Sequence, residues 1–289
     1  MKSTLTIVTG EKGITDMGKI ILLNTPIGNV SDVSARVREA LTEGNVFAVE
    51  DTRSFKELLN HLGISLEGKN IFAFHDQSDD SQLSYMIEKN KGQTLYVASE
   101  AGSPIVSDPA YPLIKAALAA GYELDTYSGI SSVIVALELA GLPPIPFAFH
   151  GFLQRDNGKK REAFLNLGYG THFFFEAPTR IEDTLKLLAE THPEMDVAVM
   201  RELTKKFQTV HRFKAKDWKE QNIMSKGEFV LGLYQPEAFK GSLHKQKELA
   251  LEVLASGGSP KTLAKLLGEI LERNNKEIYS ELEQKKARF

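Results

Sequence analysis

The chain contains no cysteine, which excludes disulfides, thiolate metal sites and cysteine nucleophiles and permits a reducing, cytoplasmic setting. No apolar run approaches the roughly 20 residues that a membrane helix needs. Gly18 and Lys19 interrupt the only stretch with the order of a signal peptide, so neither export nor a membrane partner is expected. Several signatures are also missing. There is no G-x-x-x-x-G-K-[ST] and no G-x-G-x-x-G after the first strand pattern, which argues against a P-loop and a standard dinucleotide fold. The only G-x-G, Gly168-Tyr169-Gly170, lies between helix and strand patterns and reads as a turn. No G-x-S-x-G elbow occurs, so a hydrolase of that kind is not indicated. The seven histidines show no i, i+4 pair, and no metal site is expected.

What is present is strand–helix alternation. Short apolar runs at 20–23, 46–49, 71–74, 95–98 and 123–127 read as buried strands. Helical spacing separates them: Val30, Val33, Val37 and Leu41, with Ser31 or Asp32 as N-cap; Phe55, Leu58, Leu59 and Leu62, closed by Gly63; Leu83, Met86 and Ile87; and residues 112–120. The fold class is therefore α/β, with a mostly parallel sheet covered by helices on both faces. A further helix is expected at 133–139, after which three prolines within Gly141-Leu-Pro-Pro-Ile-Pro146 break the pattern. Strands at 147–149, 173–175, 197–200, 210–213 and 229–233, with helices at 161–167 and 180–190, make a second unit with a mixed sheet. Past Tyr234 the composition turns helical, at 237–255, 262–272 and 276–284. The division that follows is 19–130, 131–235 and a helical tail, 236–289. A short strand is also expected at 5–8.

Polar or small residues stand at the carboxyl ends of the strands, where open α/β sheets keep their ligands. The central stretch is Leu95 to Ala110, whose turn Ser99-Glu-Ala-Gly-Ser-Pro104 would let backbone approach a ligand or would serve as an ordinary strand-to-helix connection. Glu50-Asp-Thr-Arg53 offers two carboxylates, a hydroxyl and a guanidinium, or a capped helix start. An acid there would position or deprotonate a hydroxyl, and Arg53 would hold a phosphate. Between Arg201 and Lys219 seven Lys or Arg face two acids, and Arg155 to Arg161 is a second basic cluster. Both read as solvated faces or as a phosphate-binding surface. Gly227 before the last strand suggests a bulge or a close backbone approach.

Taken in order, Asn24-Thr-Pro-Ile-Gly-Asn29, Glu50-Asp-Thr-Arg53, Phe74-His75 and Ala101-Gly-Ser-Pro104 resemble the tetrapyrrole-methylase-fold methyltransferases, and among them the ribosomal RNA small subunit methyltransferase I subfamily. Gly151-Phe-Leu153, Phe175-Glu-Ala-Pro-Thr-Arg180, Arg201-Glu-Leu-Thr-Lys205 and Lys226-Gly-Glu228 extend the likeness over residues 19 to 234, and the helical tail also resembles the subfamily's extension. The resemblance implies a homodimer that binds S-adenosylmethionine between two α/β domains and methylates the ribose 2′-hydroxyl of a cytidine in ribosomal RNA of the small ribosomal subunit. It places the cofactor against Pro26, Ile27, Gly28 and Asn29, against Ser99, Glu100, Ala101, Gly102, Ser103 and Ile105, and against Ser131 and Ser132. Phe175, Glu176 and Leu203 would cover the adenosine. Glu50 and Asp51 are the candidate bases, and Arg53, Arg180, Arg201 and Lys205 the candidate phosphate ligands. The chain departs from the subfamily pattern at Glu100 (Asp), Ser103 (Thr), Ala110 (Gly) and Ser128-Gly-Ile130 (Pro-Gly-Pro). Two other readings stay open: a methyltransferase of the same fold acting on a tetrapyrrole or other small molecule, and a non-catalytic RNA-binding protein.

Overall fold

The computed structural model describes residues 17–75, 79–237, 253, 259–271 and 274–286. The chain divides into two compact units at Gln235/Pro236. The expected strand at 5–8 and nearly all of the expected helix at 237–255 lie outside the described residues.

Five strands, β1 (Lys19–Leu23), β2 (Val46–Val49), β3 (Asn70–Ala73), β4 (Thr94–Ala98) and β5 (Glu123–Tyr127), form a parallel sheet in the order β3-β2-β4-β1-β5. Parallel strands need covered faces, which is why β1 is the unbroken run KIILL, buried throughout. Successive side chains of β1 feed opposite layers. Ile20 and Leu22 pack with Val97, Leu113 and Ala117, while Ile21 and Leu23 pack with Phe47, Val37 and Leu59. The covering helices are α1 (Ala35–Glu43), α2 (Thr52–His61), α3 (Asp80–Lys89) and α4 (Tyr111–Ala119).

The helix expected from Val30 onward is split. The Asn29 side chain accepts from Ser31 N and starts a 3₁₀ turn, Val30–Asp32. Val33 then turns extended, and Ser34 caps α1 by accepting from Val37 N. Neither Ser31 nor Asp32 is the N-cap, because two capping side chains stand five residues apart and each captures its own amides. The expected glycine stop is present: Gly63, just past α2, is left-handed with φ +69°.

The second sheet runs β6 (Phe147–Phe152), β7 (Gly170–Glu176), β10 (Phe229–Gln235), β8 (Asp196–Arg201), β9 (Thr209–Lys214). Only β6 and β7 are parallel, so the sheet is mixed. Helix α5 (Ser132–Ala140) covers one face through Ala136 and Ala140 against Phe173, Ala198, Met200 and Val230. Helices α6 (Asn157–Leu165) and α7 (Ile181–Thr191) cover the other, with Phe164, Leu185 and Leu188 against Phe174, Val197 and Leu231. A 3₁₀ segment at Ala215–Gln221 lacked any periodic signal in the sequence.

In the tail, helices α8 (Pro260–Leu271) and α9 (Asn275–Lys286) share a small core of Leu263, Ala264, Leu267, Ile278 and Leu282. Among the described residues no helix is long and apolar enough to cross a membrane.

Candidate functional site

The loops after β1, β2, β4 and β5 gather at the carboxyl edge of the parallel sheet. Thr25 and Gly102 form an isolated antiparallel bridge, Thr25 N donating to Gly102 O at 2.9 Å and Gly102 N to Thr25 O at 3.1 Å. Gly102 has φ +78°, and a Cβ there would stand 3.1 Å from Ile27 Cγ2. This position requires glycine on both counts. Gly129 in the loop after β5 is pressed against Asn24, where a Cβ would meet Asn24 O at 2.3 Å. The Ser128-Gly-Ile130 departure therefore keeps the residue that the packing demands, and Ile130 joins the apolar cluster around α5. Ala110, in place of glycine, is fully buried as the N-cap of α4 with φ −74°, which an alanine adopts without strain.

The second half closes over the first of these loops. Asn29 N donates to Thr204 Oγ1 at 3.1 Å, and a Cβ on Gly28 would stand 2.4 Å from Lys205 Cγ and 3.2 Å from Leu203 O. Ile27 and Leu203 share one buried cluster. The loop that reaches across is strained: Glu202 and Thr204 are both left-handed, with φ 51° and 63°. Glu202 is held by Lys205 and by Glu228 N, and the cramped Gly227, φ +94°, lets its side chain pass. The close approach expected at Gly227 is the arrangement found.

The acidic residues divide by environment. Asp51 caps α2, its Oδ1 accepting from Arg53 N at 2.7 Å and Ser54 N at 2.8 Å. The Ser54 and Arg53 amide bonds hold its carboxyl below the usual range. Glu50 is half-buried and its Oε2 accepts from Glu100 N at 3.2 Å, while Glu100 Oε1 accepts from Ser54 Oγ at 3.0 Å. Glu50, Asp51 and Glu100 thus stand together at the mouth of the first half, with Arg53 exposed beside them.

Several expected ligand residues are occupied by the fold. Arg201 is only 9% exposed, and its guanidinium donates to Lys226 O and to Phe207 O. Lys205 lies 3.2 Å from Glu202 Oε1 and 2.8 Å from Glu228 Oε1. Glu176, expected over the adenosine, is instead turned into the second half. Its carboxylate meets Lys160 Nζ at 3.0 Å, Thr184 Oγ1 at 2.7 Å and Arg180 Nε at 2.8 Å. Burial alone would raise its pKa, but the bonds from Thr184, Lys160 and Ala177 N outweigh it and hold the carboxyl below its ordinary value. Phe175 is half-buried between Phe149 and Phe152, at ring-centroid distances of 4.8 and 5.2 Å. Lys160, with its side chain 1% exposed, is the residue that sequence reading missed. It stands inside a basic cluster, and nothing in the local pattern marks it as buried.

Whether these loops suit a cofactor can be asked of the unmet polar groups. Thr25 Oγ1 is buried beside the Gly102 bridge without a hydrogen-bond partner among the described residues. At the start of α5, Ser131 makes no side-chain cap bond, which leaves the first-turn amides of that helix without a side-chain acceptor. Ser103, Ile105, Ser131 and Ser132 are all at least partly exposed. A small ligand with polar edges, laid along Pro26–Asn29 and Ser99–Ile105, fits this set of unmet donors and acceptors.

The architecture is that of solved methyltransferases. The methyltransferase CobJ aligns with a TM-score of 0.55 at 19% identity over 76% of this chain and 95% of its own. A uroporphyrin-III C-methyl transferase from Thermus thermophilus complexed with S-adenyl homocysteine aligns with a TM-score of 0.52 at 14% identity over 75% and 98%. The chain belongs to the tetrapyrrole (corrin/porphyrin) methylase family, whose profile matches residues 19–218. Within it, the ribosomal RNA small subunit methyltransferase I of Xylella fastidiosa is 32% identical over 271 residues, spanning 91% of this chain and 98% of the relative.

Proposed function

We infer that this chain transfers the methyl group of S-adenosylmethionine to the ribose 2′-hydroxyl of a cytidine in small-subunit ribosomal RNA. The observation that carries this reading is the end-to-end likeness, at 32% identity, to relatives named ribosomal RNA small subunit methyltransferase I. The uroporphyrin-III C-methyl transferase and the methyltransferase CobJ share the fold at much lower identity, 14 and 19%. A homodimer in the cytoplasm is part of the same reading.

The cofactor supplies an electrophilic methyl group on a sulfonium. Pro26–Asn29, Ser99–Ser103, Ile105 and Ser131-Ser132 would hold it, with Thr25 Oγ1 and the open start of α5 as unmet polar partners. The protein's part is largely positioning, since in-line approach of a hydroxyl supplies much of the rate. A ribose hydroxyl is a weak acid, and a carboxylate within reach assists its deprotonation. Glu50 is the better candidate. The two amides bound by Asp51 lower its basicity, whereas Glu50 accepts a single amide. Arg53 is the exposed cation at this mouth and the first candidate for a phosphate of the target strand.

Transfer of a tritiated methyl group to small-subunit RNA, free and in assembled subunits from cells lacking this protein, tests the reading. Incorporation at a cytidine 2′-oxygen supports it. Cofactor binding without any RNA methylation would sink it.

A further inference from the structure

The fold divides each of the two basic clusters between cations that it engages and cations that it leaves exposed. Of the cations between Arg201 and Lys219, Arg201 binds backbone carbonyls, Arg212 closes the end of α5 through Ala140 O and Leu139 O, and Lys205, Lys214 and Lys216 pair with acids, while Lys206 and Lys219 stay exposed over the rings of Phe207 and Trp218. The smaller cluster is Arg155 to Arg161. Lys160 goes inward to Glu176, while Arg155 and Lys159 are exposed with no ion pair among the described residues. They line a pocket of about 550 Å³ with Phe152, Gln154, Asp156 and Arg180.

The pocket has a built wall. Glu176, 2% exposed, receives Arg180 through both Nε and Nη2, at 2.8 and 2.7 Å, and is itself fixed by the buried Lys160 and Thr184. The fork of Arg180 is thereby held in one orientation, with Nη1 not engaged by Glu176. Two cations share one carboxylate, so the network carries surplus positive charge at the wall. Asp156 is the only acid in the lining. Its Oδ1 is taken by Lys159 N at the start of α6, where the helix end offsets its charge. On the other side Phe152 is 57% exposed, its ring braced against Phe175. A bulge in β6 turns the chain here: Gly151, φ +72°, puts its Cβ position 3.5 Å from Ser107 Oγ, in the loop that follows the Ser99–Ser103 turn. The pocket therefore opens beside one of the cofactor loops.

We propose that this pocket is a nucleotide subsite for single-stranded RNA, in which Arg155, Lys159 and Arg180 hold a backbone phosphate and Phe152 carries an unstacked base. Exposed cations and an exposed ring, side by side in a cavity of ligand size, are the elements that single-stranded RNA recognition uses. The proposal rests on the RNA reading above and extends it by giving residues 152–159 a direct part in gripping the substrate.

The test uses the full-length protein and two probes, S-adenosylmethionine by calorimetry and small-subunit ribosomal RNA, free and in assembled subunits, by filter binding. Phe152→Ala should weaken RNA binding about tenfold at any salt concentration. Arg155→Ala should weaken it several-fold at low salt and reduce the salt slope by about one phosphate. Both variants should keep wild-type affinity for the cofactor, which also shows that the fold survives. Wild-type RNA binding by both variants would overturn the subsite and leave the RNA reading intact. A wild-type protein that binds the cofactor but neither form of the RNA would overturn both.

Discussion

Glutamine at position 176 would leave Lys160 facing an amide in a place that water does not reach. Lys160 has 1% of its side-chain surface exposed and Glu176 none, and their charged atoms are 3.0 Å apart. The lysine cannot turn to solvent, and its remaining partner, Thr184 Oγ1 at 2.6 Å, is neutral. Breaking a buried pair from one side typically costs ~3–5 kcal/mol, because the remaining charge stays desolvated. For a unit of this size each kcal/mol corresponds to roughly 2–4 °C, so Glu176→Gln should lower the melting temperature by about 10 °C. Lys160→Met alone should cost less, since Arg180 and Thr184 still satisfy the carboxylate. The double variant should lose much less than the sum of the single losses, because no uncompensated charge is left behind. The wild type should also show a specific acid limb. The folded carboxyl lies below the ordinary glutamate value of about 4.3, so its stabilisation is complete above that pH and is lost as pH falls through the folded pKa. Glu176→Gln should lack that limb. Scanning calorimetry across the acid range measures all of this. A loss below about 1 kcal/mol, or strict additivity in the cycle, would refute the reading of this network as a buried, coupled pair.

Other outcomes follow from the cofactor loops and the acids. Gly102→Trp should abolish S-adenosylmethionine binding in calorimetry and also lower the melting temperature, because position 102 is left-handed and a Cβ there would press on Ile27. Gly28→Ala, whose Cβ would press on Lys205 and the Leu203 carbonyl, should weaken cofactor binding about tenfold, or ~1.4 kcal/mol. Methyl-transfer assays should find Glu50→Gln down by about 10²-fold in kcat with cofactor affinity kept. Asp51→Asn should fall less in kcat and lose thermal stability instead, since its carboxylate caps α2; equal kcat losses for the two would contradict the assignment of the base to Glu50.

Local pattern determined much of this protein. The apolar run 20–23 of β1, the left-handed Gly63 after α2 and the carboxyl-end loops at Asn24–Asn29 and Ser99–Pro104 announce themselves in a few consecutive residues, because strand period, helix stops and turn chemistry act over short range. The family likeness rests on those same stretches. Other features belong to neighbours far along the chain. The choice of Asn29 and Ser34 as caps over Ser31 and Asp32 depended on which amides each side chain could reach, in a segment where all four are good cappers. The burial of Lys160, the inward turn of Glu176 and the capture of Arg201 by the Lys226 and Phe207 carbonyls came only with the second sheet. Charge in a sequence names the residues that can bind a phosphate. Only the tertiary structure decides which of them remain available, because a cation is spent wherever the fold brings an acceptor to it and excludes water.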